Sequence, residues 1–170
     1  MLRLLSATFG LSLLLLTSLA QAETLIGYVD LQKAISSVEE GKRARARVEK
    51  EYNAKQAALE AQEAELMKLQ GSIEQAMKAN DPTVMQQQQD FQRRIYQLEQ
   101  TRMKEQQELQ KMEYEELEVI TGKMRKLIEE IGVAGKYSLI LEVKQNRLLF
   151  GKDYLDITNE VIRKYNSTYK

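Results

Sequence analysis

Apolar and polar residues alternate along this chain with two different periods. From about residue 42 onward the apolar positions recur every 3.5 residues. Val48, Tyr52, Lys55, Leu59, Gln62, Leu66, Leu69, Ile73 and Ala76 lie alternately four and three apart, and seven of the nine are apolar with alanine counted. A second run, Phe91, Ile95, Leu98, Arg102, Glu105, Leu109, Met112, Glu116 and Val119, has six apolar members of nine. Near Val119 and Ile120 its phase slips by one, and the stripe continues through Met124, Leu127 and Ile131. A stripe this narrow cannot collapse on itself and must be buried against another helix, as in a coiled coil. The two runs are separated by Asn80-Asp81-Pro82, which holds the only proline. A residue before proline is poorly helical, whereas proline itself suits the first turn of a helix. The pattern therefore predicts two helices, each roughly 60 to 75 Å long, folded back as an antiparallel hairpin turning at 80–82. Gly71 lies inside the first helix as the place for a bend, and Gly132 and Gly135 are the stop signals of the second.

The ends of the chain carry shorter patterns. Residues 24–30, containing Leu25, Ile26, Tyr28 and Val29, are β-rich. Asp30 is placed as an N-cap for a short helix with Leu31, Ala34, Ile35 and Val38 on one face, ended or kinked at Gly41. Residues 137–143, with Leu139, Ile140, Leu141 and Val143, read as a strand that residues 147–150, with Leu148 and Phe150, pair with across Lys144-Gln145-Asn146. A last helix near 158–166 has Thr158 as N-cap and Ile157 and Ile162 as a hydrophobic staple. The fold class is thus α+β: residues 23–41 and 134–170 form a small β-body, and residues 42–133 project from it as the coiled-coil arm. Three short strands and two short helices leave open sheet edges, which association between copies would close. Composition leaves the number of copies open.

The extreme N-terminus is excluded from the fold. Arg3, the apolar run Leu11 to Leu16 and Ala20-Gln21-Ala22 have the layout of a cleaved signal peptide over residues 1–22. Glu23 is then the first mature residue, the mature chain has 148 of the 170 residues, and its destination is outside the cytoplasm. Arg3 is the only charge lost, so the mature chain stays within one charge of neutrality, and no global basic field attracts nucleic acid. Cysteine and histidine are absent, which removes thiolate chemistry and the commonest metal ligand. No nucleotide loop, spaced metal ligands or catalytic constellation is visible. Sequence thus predicts no enzyme, cofactor or metal. The basic run Lys42-Arg43-Ala44-Arg45-Ala46-Arg47 reads as a solvated helix surface near Glu39, Glu40, Glu49 and Glu51. Met67, Met77, Met85 and Met103 fall outside the seam, and methionine suits a surface that must fit many apolar partners.

The opening Ile26-Gly27-Tyr28-Val29-Asp30-Leu31-Gln32, followed by Gly41-Lys42, resembles the start of the Skp (OmpH-like) family of periplasmic chaperones. The tail Asp156-Ile157-Thr158-Asn159-Glu160-Val161-Ile162 resembles that family's closing helix, and the order of elements between them is similar. The resemblance implies a periplasmic homotrimer whose strands make a central body and whose arms enclose a cavity. It implies an ATP-independent holdase for unfolded outer-membrane β-barrel proteins. On that reading Met67, Met77, Met85 and Met103, with Lys68, Lys78, Arg93 and Arg94 around the turn, are the candidate client-binding residues. Leu25, Ile26, Tyr28, Val29, Leu139, Ile140, Leu141, Val143, Leu148, Phe150, Ile157 and Ile162 are the candidate body and oligomerisation residues. The chain departs from the strongly basic members of the family. Lys68, Lys78, Arg93 and Arg94 face Glu74, Asp81 and Asp90, which leaves scope only for a weak contact with membrane or lipopolysaccharide. The alternative is an envelope coiled-coil scaffold or adaptor with one specific partner.

Overall fold

The computed structural model describes residues 24–170, so the signal-peptide reading and Glu23 lie outside the described residues. In chain order the elements are β1 (Ile26–Val29), α1 (Leu31–Ser37), α2 (Glu39–Lys78), α3 (Val84–Ala134), β2 (Leu139–Glu142), a 3-10 turn (Asp153–Leu155) and α4 (Thr158–Thr168). The fold is mostly helical, with one small sheet.

The helices α2 and α3 form the hairpin. Pairing of Arg47 with Glu116, Glu63 with Arg102 and Met77 with Gln88 makes them antiparallel. On α2, Val48, Lys55, Leu66, Leu69 and Ala76 are half-buried and Leu59 and Ile73 buried, but Tyr52 and Gln62 face outward. On α3, Phe91, Ile95, Glu105, Leu109, Met112 and Glu116 are half-buried and Leu98 is buried, while Arg102 and Val119 are exposed. After the phase slip, Ile120, Met124, Leu127 and Ile131 are buried. α2 runs unbroken through Gly71, where an added Cβ would meet nothing within 4 Å. Gly71→Ala is therefore expected to stabilise the protein by about 1 kcal/mol through helix propensity alone. Urea unfolding of the two proteins side by side is the check, and a lower midpoint would mean that the helix needs a flexible point there.

The tip turn is closed by local chemistry. Asp81 N–H donates to the Ala76 carbonyl and Asn80 N–H to that of Met77, with Asn80 in the left-handed region at φ 52°. These are the two bonds of a Schellman ending, with asparagine where glycine is commoner. Beyond it, the Asp81 carboxylate accepts from both the amide and the hydroxyl of Thr83. α3 ends in the same way, through Tyr137 N–H to Gly132 and Lys136 N–H to Val133. Here the left-handed residue is Lys136 (φ 55°), not a glycine. Gly132 stays inside the helix, while Gly135 is its C-cap, as expected, and a Cβ there would also lie 2.6 Å from the Tyr137 ring.

The body corrects two expectations about the sheet. β2 pairs with β1, in parallel, with Ile26 opposite Leu139 and Val29 opposite Glu142. Residues 147–150 form no strand and do not pair back on residues 137–143. The three residues meant to connect them close a helical turn instead. Asn146 N–H reaches the Glu142 carbonyl and Leu148 N–H that of Val143, and Arg147 is left-handed at φ 49°. That turn swings Leu148–Phe150 away from β2, leaving Leu149 and Phe150 98% and 80% exposed.

The core lies where the ends of the chain meet the arm's root. Val29, Ala34, Val38, Ala44, Ile120, Met124, Leu127, Ile131, Ile157, Val161 and Tyr165 form one buried cluster, with Leu31, Ile35, Ile140 and Ile162 packed against it. The body thus takes in the last turns of α3. Asp30 caps α1 as expected, accepting from Lys33 N–H. Two other helix ends differ from expectation. The corner between α1 and α2 falls at Val38, extended at ψ 150°, and Gly41 lies inside α2. Thr158 is the first residue of α4, not its N-cap. The residue before it, Ile157, occupies the cap position, while Asp156 supplies the carboxylate that accepts from Thr158 N–H. Thr158 is fully buried because its hydroxyl accepts from Asp30 N–H, tying α4 to the end of β1.

Candidate functional site

The arm exposes apolar side chains along its length. Met67, Met77, Met85 and Met103 are between 50% and 74% exposed. Met77 and Met85 flank the tip turn, while Met67 stands about 15 Å back along α2 and Met103 about 27 Å back along α3. These residues are therefore strung out rather than gathered in one pocket. Tyr52, Tyr96 and Tyr114 are exposed as well. Tyr96 and Tyr114 fall between seam positions and were legible as outward-facing, whereas Tyr52 occupies a seam position by spacing alone. A surface of this kind offers many weak apolar contacts without a fixed shape.

The candidate cations divide into two kinds. Lys68 and Lys78 make no ion pair among the described residues. Arg93 and Arg94 both bind Asp90, the Arg94 Nε at 2.7 Å, and their hydrogen bonds, Arg93's first, hold the Asp90 carboxyl below its ordinary value. Two of the four candidate cations are thus engaged within their own helix. The signal for this was in the sequence, since Asp90, Arg93 and Arg94 stand at i, i+3 and i+4.

Nearer the body, α2 and α3 are joined by ion pairs that sequence reasoning did not assign. Glu40 meets Lys123 at 2.6 Å, Arg47 holds Glu116 through two bonds of 2.7 and 2.6 Å, Lys55 meets Glu105 and Glu108, and Arg102 meets Glu63. The Arg47 hydrogen bonds lower the Glu116 carboxyl, and the Lys55 hydrogen bond does the same for Glu108. Burial alone would raise Glu40, but hydrogen bonds from Lys123 and Tyr165 and the charges of Lys123 and Arg43 bring it below its ordinary value. The basic run is partly absorbed by these contacts, Lys42 pairing with Glu39 and Arg47 with Glu116. Beside the ion pairs an open groove of about 1190 Å³ runs from α1 along the root of the arm.

In the body, Val29 and Ile157 are buried and Tyr28, Ile140, Leu141, Val143, Leu148 and Ile162 are half-buried. Leu25, Ile26, Leu139 and Phe150 are exposed. β1 is covered on one side by β2 and on the other by a single bridge from Tyr28 to Asp156. The outer edge of β2 has no strand beside it among the described residues.

The architecture is a charged helical hairpin with exposed apolar points, rooted in a small α/β body. Among the described residues there is no cluster of potential metal ligands, and no helix long and apolar enough to cross a membrane. The sequence profile of the OmpH-like outer membrane proteins matches residues 25–165, and the chain belongs to that family. A solved structure from Caulobacter crescentus CB15, provisionally assigned as an outer membrane chaperone (OmpH-like), has the same fold at a TM-score of 0.79 and 17% identity. The alignment covers 98% of this chain and 92% of that one. No curated protein matches the chain.

Proposed function

We propose that this chain is an ATP-independent periplasmic holdase, exported by residues 1–22, that keeps unfolded outer-membrane β-barrel proteins from aggregating. The observation that carries this reading is the exposure of Met67, Met77, Met85 and Met103 along the arm. An unfolded barrel strand exposes alternating apolar side chains and unpaired backbone, both of which drive aggregation. Many weak contacts along several arms hold such a chain by effective concentration, and folding into the membrane releases it by burying the same surface. No hydrolysis step is required, and the chain acts without a cofactor. Membership of the OmpH-like family and the fold shared with the Caulobacter protein support the assignment.

The working unit is a homotrimer. The open edge of β2 and the exposed Leu139, Leu149 and Phe150 support self-association, with Leu148–Phe150 of one copy laid along β2 of the next. Three copies related by a three-fold axis close the sheet into a ring, which leaves no edge. The near balance of charge and the capture of Arg93 and Arg94 by Asp90 limit any lipid or lipopolysaccharide contact to Lys68 and Lys78.

The test is dilution of a urea-unfolded outer-membrane barrel into buffer, with aggregation followed by light scattering. Suppression saturating at about three chains per client is expected. Replacing Met67, Met77, Met85 and Met103 together by serine is expected to weaken suppression by about tenfold in required concentration, with helicity unchanged, since each removes an exposed apolar contact. Absence of suppression by the folded protein would favour the scaffold or adaptor reading instead.

A further inference from the structure

The four ion-paired levels between α2 and α3 are unevenly placed. On α2 they fall at Glu40, Arg47, Lys55 and Glu63, and on α3 at Lys123, Glu116, Glu105 with Glu108, and Arg102. Three lie in the half of the arm next to the body, and Glu63–Arg102 lies just beyond its midpoint. In the outer third of the arm, from Leu66 to Leu98, the ion pairs among the described residues are those of Asp90 within α3. Buried apolar packing on α2 and α3 is densest at the body, where Ala44, Ile120, Met124, Leu127 and Ile131 lie, and is interrupted further out. Ile73 and Leu98 are buried in the outer third. Between Ala44 and Leu59 on α2, and between Leu98 and Ile120 on α3, no residue is buried. The groove opens over this stretch, with Val48, Leu59 and Leu109 along it and Lys55, Glu105 and Glu116 beside them. Lys55 occupies a seam position, and its side chain is only 15% exposed.

We infer that the root of the arm is closed by an ionic latch, in which Arg47–Glu116 and Lys55–Glu105/Glu108 hold together two helices over a stretch where apolar side chains are only half-buried. Opening it exposes Val48, Leu59 and Leu109 to an extended apolar segment, so the latch regulates how much client surface the arm offers. That consequence rests on the holdase reading, but the latch itself does not. The sign order supports the assignment. Along α2 it is negative, positive, positive, negative, and along α3 the complement. Sliding either helix by one level sets two like charges against each other, so the charges also fix the level at which the helices meet.

Charges at partial exposure are screened by salt, whereas an apolar seam is not weakened by it. Hydrogen exchange on the full mature protein without client separates the two halves of the arm. Raising salt from about 0.01 M, where the screening length is about 30 Å, to about 1 M, where it is about 3 Å, is expected to speed exchange in residues 45–58 and 103–118 by about tenfold relative to 64–77 and 88–100. R47E is expected to open the root already at low salt, and R47E/E116R, which restores the pair in reverse, to close it again. A salt response spread evenly over the arm, or a double variant as open as R47E alone, would overturn the latch. Client aggregation measured in parallel tests the holdase reading separately.

Discussion

Replacing Gly41 with alanine is expected to destabilise the body by more than about 3 kcal/mol, although the position is inside a helix where alanine is intrinsically favoured. The reason is the corner between α1 and α2. Helix α1 ends at Ser37, Val38 turns the chain, and α2 starts at Glu39, so Gly41 is pressed against the last turn of α1. A Cβ at Gly41 would lie 1.8 Å from the Ile35 carbonyl oxygen and 3.3 Å from a Val38 methyl. The first of these atoms is backbone and cannot swing aside. Relief requires moving α1 away from α2, which disturbs Ala34 and Val38, both fully buried in the core. Gly71→Ala is the natural companion, the same exchange in the same helix but in open space, and the two variants should move the urea midpoint in opposite directions. Equal and small shifts in both would mean that the corner is more compliant than its close approach implies.

Gly41 also shows how the fold was legible. The sequence marks the position as unusual, but a glycine near a helix boundary reads as a stop, and its role as a contact point appears only once α1 is folded against it. Periodicity gave both arm helices and the turn between them, because a 3.5-residue repeat is a local pattern. The polar members of that repeat carried the rest of the information. Lys55, Arg102, Glu105 and Glu116 interrupt the stripe, and all four pair across the arm. Their partners depend on register, which single-chain spacing does not fix, and Tyr52 faces out for the same reason. In the body, the apolar run at 147–150 predicts a strand paired within the chain, but no strand forms there. Leu149 and Phe150 have no cover in the single chain, and a strand pattern cannot say which molecule covers them. The parallel pairing of β1 with β2 joins segments separated by the whole arm, so nothing local announces it. The exposed methionines were found by subtraction from the seam, whereas the charge relation of Asp90 to Arg93 and Arg94 was visible in spacing but was counted only as a balance.

Tyr165 is the second position where one side chain has a large effect, and its two ends act separately. The residue is fully buried in α4, its ring packs against Tyr169 at 4.9 Å between centroids, and its hydroxyl donates to Glu40 at 2.7 Å. Glu40 also accepts from Lys123, whose ammonium lies 5.3 Å over the Tyr169 ring, so the start of α2, the end of α3 and α4 meet at this point. Tyr165→Ala removes the largest fully buried side chain and is expected to cost about 3 to 5 kcal/mol, enough to detach α4. Tyr165→Phe keeps the ring and is expected to cost only about 1 kcal/mol, because Glu40 retains Lys123 and partial access to water. Its signature lies in pH. Burial first, then the bond to Glu40 and that carboxylate's charge, push the Tyr165 phenol well above its ordinary value of 10.0. The folded state therefore binds the phenolic proton more tightly than the unfolded chain. The stability this gives is complete below pH 10 and is lost as pH rises from there toward the folded value. Glu40 acts at the other end, since its lowered value makes its contribution present above the ordinary 4.5 and lost as pH falls through the folded value. Unfolding followed across pH should thus show wild type losing stability above pH 10 more steeply than Tyr165→Phe, so that their difference shrinks there. A constant difference between the two from neutral pH to alkali would mean that neither burial nor Glu40 holds the phenolic proton in the folded state.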